Sequence, residues 1–186
     1  MSKQTFHGDK KVGTSLFVHM ERWLVEKYTP LIPPWLETYH LTLLTLIWST
    51  AIILFSYLAK TNIHWLWAVS IMIVLQYLSD LFDGAVGRYR KTGLIKWGYY
   101  MDHFLDYIFL CSILIGYSFL VDDHYKYLLF FTLTVLGAFM VNSFLMFGVT
   151  NEFKITYLKI GPTEVRLLFI VINTLLVIFG KTNMGG

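Results

Sequence analysis

The chain has 186 residues, 56% of them apolar and 18% aromatic, and its mean hydropathy is +0.57. That balance excludes an ordinary soluble domain, and a single cysteine, Cys111, excludes a disulfide scaffold and is read as a packing residue. The net charge of +3 is small, and no nucleic-acid partner is implied.

Residues 1–13 read as a polar N-terminal tail and 14–186 as a single membrane domain; the scattered charge of the first forty residues does not fit a cleaved signal peptide. From Thr14 to Tyr28, Phe17, Met20, Leu24 and Tyr28 recur at helical spacing opposite His19, Arg22 and Glu26. This predicts an amphipathic helix over 14–28, lying on the membrane surface. Pro30, Pro33 and Pro34 then stop it, because proline cannot continue a helix interior. Five apolar segments follow, near 41–58, 64–83, 98–120, 125–148 and 164–180, each close to the roughly 20 residues that cross a hydrocarbon core. The fold class is therefore all-α, a polytopic membrane helical bundle with five predicted transmembrane helices. Trp65, Trp67, Trp97, Tyr99, Tyr100, Tyr125 and Tyr127 fall near span ends and read as interfacial anchors.

With the N-terminus in the cytoplasm, twelve of the fifteen Lys and Arg residues, Arg166 among them, fall on the inner side. The positive-inside rule then puts the basic loop from Arg88 to Lys96 at the cytoplasmic face of an integral membrane protein. Beside that loop stand four acids. Asp80 and Asp83 are three residues apart and Asp102 and Asp106 four apart, so each pair lies on one helix face, and a short loop makes the two helices neighbours. A charge at mid-membrane costs about 2.5 to 3.5 kcal/mol even on the lower scales, so such a cluster takes up protons or surrounds cations. Oxygen ligands without a Cys/His set suit Mg2+, Mn2+ or Ca2+ rather than zinc. Ions of that kind neutralise phosphate charge in phosphoryl transfer, and Arg88 supplies a forked donor for phosphate oxygens. Gly84, Gly87 and Gly98 read as helix-packing positions or as places where backbone approaches a ligand.

The run Asp80, Asp83-Gly84, Gly87-Arg88, Gly98, Asp102, Asp106 resembles the signature of the CDP-alcohol phosphotransferase (CDP-alcohol phosphatidyltransferase) family: Asp, two residues, Asp-Gly, two residues, Ala-Arg, eight residues, Gly, three residues, Asp, three residues, Asp. Gly87 stands where alanine is usual, and nine residues rather than eight separate Arg88 from Gly98. The resemblance implies a membrane enzyme of phospholipid synthesis that moves a phosphoalcohol from a CDP-alcohol to a second alcohol and releases CMP. It implies Asp80, Asp83, Asp102 and Asp106 as ligands of two divalent ions, Mg2+ or Mn2+, with Asp106 also the general base. It further implies Gly84, Gly87, Arg88 and Gly98 at the nucleotide, a lipid or alcohol acceptor, and a homodimer. Family members usually have six membrane helices, so a last helix is either missing from the sequence or dispensable.

Asp102 is followed by His103, and Gly161-Pro162-Thr163-Glu164 looks like the Thr-Glu segment of choline and ethanolamine phosphotransferases. On that likeness His103 stands near the attacking hydroxyl and Glu164 attracts a cationic headgroup; the plainer reading of Glu164 is a helix N-terminal charge met by Arg166 or water. Gln76, Ser79, Asn142, Ser143 and Asn173 read as interhelical or back-bonding groups, and His40 and Thr42 are left out of the site. A membrane prenyltransferase and a cation carrier are the competing readings. The first normally has two acidic motifs and more helices, and the second gives Arg88 no role.

Overall fold

A computed structural model describes residues 10–11, 17–150, 152–153 and 161–180 of the chain. The rest of the predicted tail, the first residues of the predicted surface helix, and Lys154 and Lys159 lie outside the described residues. The architecture is all-helical, with α1 Val18–Tyr28, α2 Thr38–Leu58, α3 Leu66–Arg90, α4 Ile95–Ser118, α5 Lys126–Thr150 and α6 Pro162–Phe179. A two-residue parallel pairing of Lys10–Lys11 with Glu152–Phe153 is the sole extended pairing among the described residues.

Helices α2, α3, α5 and α6 are each long and apolar enough to cross a membrane. The third predicted span, 98–120, falls on α4 and is not among them. Its 24 residues reach about 36 Å, but Lys96, Asp102, His103 and Asp106 dilute its apolar character. Helix α1 has no buried residue.

Helix ends follow local chemistry. The Glu37 side chain accepts an N-terminal backbone N–H of α2, while Glu37 N–H donates to His40 Nδ1 at 3.1 Å, so His40 is a capping residue. Gly161 precedes α6 and Pro162 opens it, where a missing N–H is harmless. Helix α3 runs seven residues past the expected 83, because its last arginine is held in place. Arg90 donates to the carbonyls of Ile32, Pro33 and Leu36 at 2.9, 3.0 and 2.8 Å, which pins the proline-rich linker to the end of α3. Lys91 then adopts left-handed backbone (φ 54°) and Gly93 the same region (φ 71°), turning the chain into α4 within four residues.

Helix α2 packs along both α3 and α4, α6 packs on α3, and α5 packs on α4. The acid-bearing faces of α3 and α4 meet, as the short turn implies, but side chains bridge the gap between them, and the extensive backbone contacts of both helices are with α2. A close approach fixes α2 on α4, since a Cβ at Gly116 would collide with the Ser56 hydroxyl. The apolar core, including Ile52, Leu66, Ile73, Phe109, Ile113 and Phe169, fills the half of the bundle distant from the α3–α4 turn. Within it, Tyr117 Oη donates to Asn173 Oδ1 (2.9 Å) and Asn173 Nδ2 to Ser70 Oγ (3.1 Å), tying α4, α6 and α3 through polar groups that lipid would leave unsatisfied.

Candidate active site

The short turn sets the acids in register. Asp83 stands seven residues before the end of α3 and Asp102 seven residues after the start of α4, each about 10 Å along its axis. Asp80 and Asp106 lie a turn deeper. Asp80, Asp102 and Asp106 each present a carboxylate oxygen, and the three oxygens lie within 4.8 Å of one another. Of the four predicted ligands, the structure thus gathers three.

Asp83 is buried slightly apart. Its Oδ2 accepts Thr42 Oγ1–H at 2.7 Å, and its Oδ1 accepts the Gly84 N–H. Thr42, left out of the site on sequence grounds, is therefore the α2 residue that orients an acid of the signature.

The cation of the site is one to which sequence reasoning assigned no role among the acids. Arg166, counted as an inner-surface charge, is only 5% exposed. Its Nη2 donates to Asp80 Oδ2 at 3.0 Å and to Asp106 Oδ1 at 2.9 Å, and its Nε to Gln76 Oε1 at 2.8 Å, while the guanidinium carbon lies 5.5 Å from the centre of the Phe109 ring. One guanidinium thus ties α3 to α4 from α6. Removing one partner of a buried pair of this kind typically costs about 3 to 5 kcal/mol, because the other charge is left uncompensated. The sequence carried a signal for it: Arg166, Phe169 and Asn173 are the buried residues of α6 and recur at helical spacing, so the arginine shares a face with core residues. Gln76, read as a generic interhelical group, completes the same arrangement.

The remaining predicted residues take these positions. Arg88 is exposed at the end of α3, its guanidinium beside Gly84, where a Cβ would sit 3.1 Å from Nη1. A Cβ at Gly87 would lie 3.0 Å from Thr38 Oγ1, so the local demand at Gly87 is helix packing, and the alanine usual in the family would crowd this threonine. A Cβ at Gly98 would meet open space. His103 is buried, with Nδ1 3.7 Å from Asp102 Oδ2 and its ring edge-on to Tyr99 and tilted against Phe144 of α5. Tyr99, read as an anchor, is thereby part of the wall around His103. On its other side His103 borders a cavity of about 470 Å3 between α4 and α5, lined also by Tyr107, Met140 and Phe144. One oxygen of Glu164 accepts the Gly161 N–H at 2.8 Å, the helix N-terminal role given above as the plainer reading. One residue earlier, Thr163 Oγ1 donates to Glu21 of α1 at 2.7 Å, which fastens α1 to the start of α6.

The CDP-alcohol phosphatidyltransferase family model matches residues 37–184, most of the chain and every residue of this arrangement. The chain belongs to that family. As a CDP-alcohol phosphatidyltransferase family member it is a membrane-embedded transferase of phosphate-containing groups in phospholipid synthesis. The match begins at the cap of α2, so α1 precedes it. Neither curated proteins nor solved structures give a match to the chain.

Proposed function

We propose that this family member transfers a phosphoalcohol from a CDP-alcohol to the hydroxyl of a second alcohol, releases CMP, and depends on divalent metal. The observation that carries the reading is the meeting of three carboxylate oxygens from α3 and α4 within 4.8 Å of one another. Hard oxygen donors without thiol or imidazole suit Mg2+ or Mn2+. Asp80, Asp102 and Asp106 would hold the ions, with Asp83 completing the set for a second. Bound there, the ions would neutralise pyrophosphate charge and stabilise the attacking and leaving oxygens.

The protein's own groups do the rest. Asp106 takes the proton of the attacking hydroxyl. Arg88, exposed beyond the acids, grips phosphate oxygens in a fork. Gly84 and Gly98 let the nucleotide approach the backbone, and Gly87 keeps the same helix face seated on Thr38. His103, between Asp102 and the apolar cavity, orients the acceptor hydroxyl. Glu164 holds the start of α6 and sets headgroup preference from there. The Asp-His pair and the Thr-Glu segment favour the choline/ethanolamine branch, with a CDP-aminoalcohol donating to diacylglycerol; CDP-diacylglycerol donating to a small alcohol is the other arrangement. The inner positive charge puts the site on the cytoplasmic face. Homodimerisation belongs to the same proposal.

The test is CMP release by purified protein in Mg2+ with CDP-choline, CDP-ethanolamine or CDP-diacylglycerol and matching acceptors. CMP from one donor, abolished by chelation and restored by Mg2+, is expected. No CMP from any donor, together with cation flux in vesicles, would hand the acidic cluster to the carrier reading. Glu164→Gln should change the donor ratio; an unchanged ratio and turnover would remove Glu164 from the site.

A further inference from the structure

Four aspartates within two turns of α3 and α4 leave a large negative charge in a poorly screened interior, and something must balance it when no other cation is bound. Two arginines are near. Arg88 is exposed, its guanidinium beside Gly84. Arg166 is buried and ion-paired to two acids of the triad, Asp80 and Asp106, while the third, Asp102, has His103 Nδ1 3.7 Å from its Oδ2. Its Nη2 bonds two of the three triad carboxylates, one from each helix, at 3.0 and 2.9 Å. Gln76 and the Phe109 ring hold the remainder of the guanidinium.

A cation drawing on Asp80 and Asp106 must share them with a positive nitrogen already at hydrogen-bond distance. Resting on the metal-dependent reading above, we infer that Arg166 is the resident counter-cation of the acidic cluster, which a divalent ion must displace from Asp80 and Asp106 before the site is loaded. Arg166 is thus a positioning residue. Without a divalent ion it bridges α3 and α4, whose backbones pack on α2 rather than on each other, and so offsets part of the charge of the cluster. On loading, the charge of Arg166 opposes the incoming ion, and the affinity of the site for that ion is held down by the residue that stabilises the empty form. A purely structural arginine would make the opposite prediction, since its loss would loosen the carboxylates and weaken ion binding.

The experiment measures Mn2+ binding to the full chain in detergent by loss of the free-ion electron paramagnetic resonance signal. Arg166→Gln should bind Mn2+ about tenfold more tightly than wild type, within the usual range for coupling between two ligands. Arg166→Lys, which keeps the charge, should stay near wild type. In chelator, Arg166→Gln should melt at a lower temperature than wild type, and Mn2+ should raise its melting temperature by more. Equal or weaker Mn2+ binding by Arg166→Gln, with wild type binding normally, overturns the inference and leaves the metal-dependent reading standing. Absence of Mn2+ binding by wild type overturns both. Wild type gives a second measurement that needs no variant: phenylglyoxal labelling of Arg166, read by mass spectrometry, should rise several-fold on adding Mn2+. Unchanged or reduced labelling overturns the displacement.

Discussion

Helices α3 and α5 are both 25 residues long and both apolar enough for a membrane, yet nine residues of α3 are buried and in α5 only Ser143 is. The buried set of α3 includes Ser70, Gln76, Ser79 and Asp83, each with a partner on another helix or on its own backbone. Helix α5 instead turns Phe130, Phe131, Val141 and Leu145 outward. The polar groups of α3 therefore gather inside the bundle beside its apolar core, while the exposed face of α5 is apolar, unlike the surface of a soluble protein. Lipid is as apolar as leucine, so burying leucine gains little, while a polar group must find its partner within the protein.

Removing a polar group from the α3 side should therefore do far more damage than trimming α5. Asp80→Asn should have the largest effect. It removes a carboxylate from the triad and one partner of Arg166, and CMP release should fall by about a thousandfold, on the scale of losing a preorganised charge from an active site. Release within tenfold of wild type would remove Asp80 from the chemistry. Thr42→Val keeps the shape of the side chain but withdraws the hydroxyl from Asp83. A hydrogen bond to a charged group contributes about 1.5 to 3 kcal/mol, so a roughly tenfold or greater drop in kcat/KM is expected in the same assay. Gly116→Val tests packing away from the acids. Its side chain would be driven into Ser56 across the α2–α4 contact, and overpacking of this kind costs about 1 to 3 kcal/mol. A lower melting temperature with unchanged KM is the expected result.

The helices were legible in sequence because span length and helix-stopping residues are local properties; four of the five expected spans qualify as such and the remaining one, 98–120, is the helix α4. The acidic register was legible for the same reason, since spacings of three and four residues fix a helix face wherever the helix goes. Which partner each acid meets was not. Thr42 reaches Asp83 from 41 residues away and Arg166 reaches Asp80 from 86 away, distances at which spacing carries no information and only the packing of α2 and α6 decides. Positive-inside counting gave Arg166 a side and no partner, because a count by loop side carries no information on what a charge at the mouth of a span meets. The extension of α3 to Arg90 was hidden likewise: its cause is the set of linker carbonyls that Arg90 gathers.

The smallest expected effect lies on α5. Leu145 is 65% exposed, so Leu145→Ala removes atoms that touch the surroundings more than the protein. A substitution away from core, caps and polar networks usually changes stability by no more than about 0.5 kcal/mol. Melting temperature and CMP release in detergent should accordingly match wild type within error. A loss above about 1 kcal/mol would instead be the size expected for truncating a packed leucine, and would mean that this face is covered in the assembled protein. In that case the contrast between α3 and α5 would describe the isolated chain alone, with α5 buried by a neighbour rather than by lipid. Equal melting curves would keep α5 as the lipid-facing helix and leave the polar interior of α3 as the side of the bundle that tolerates least.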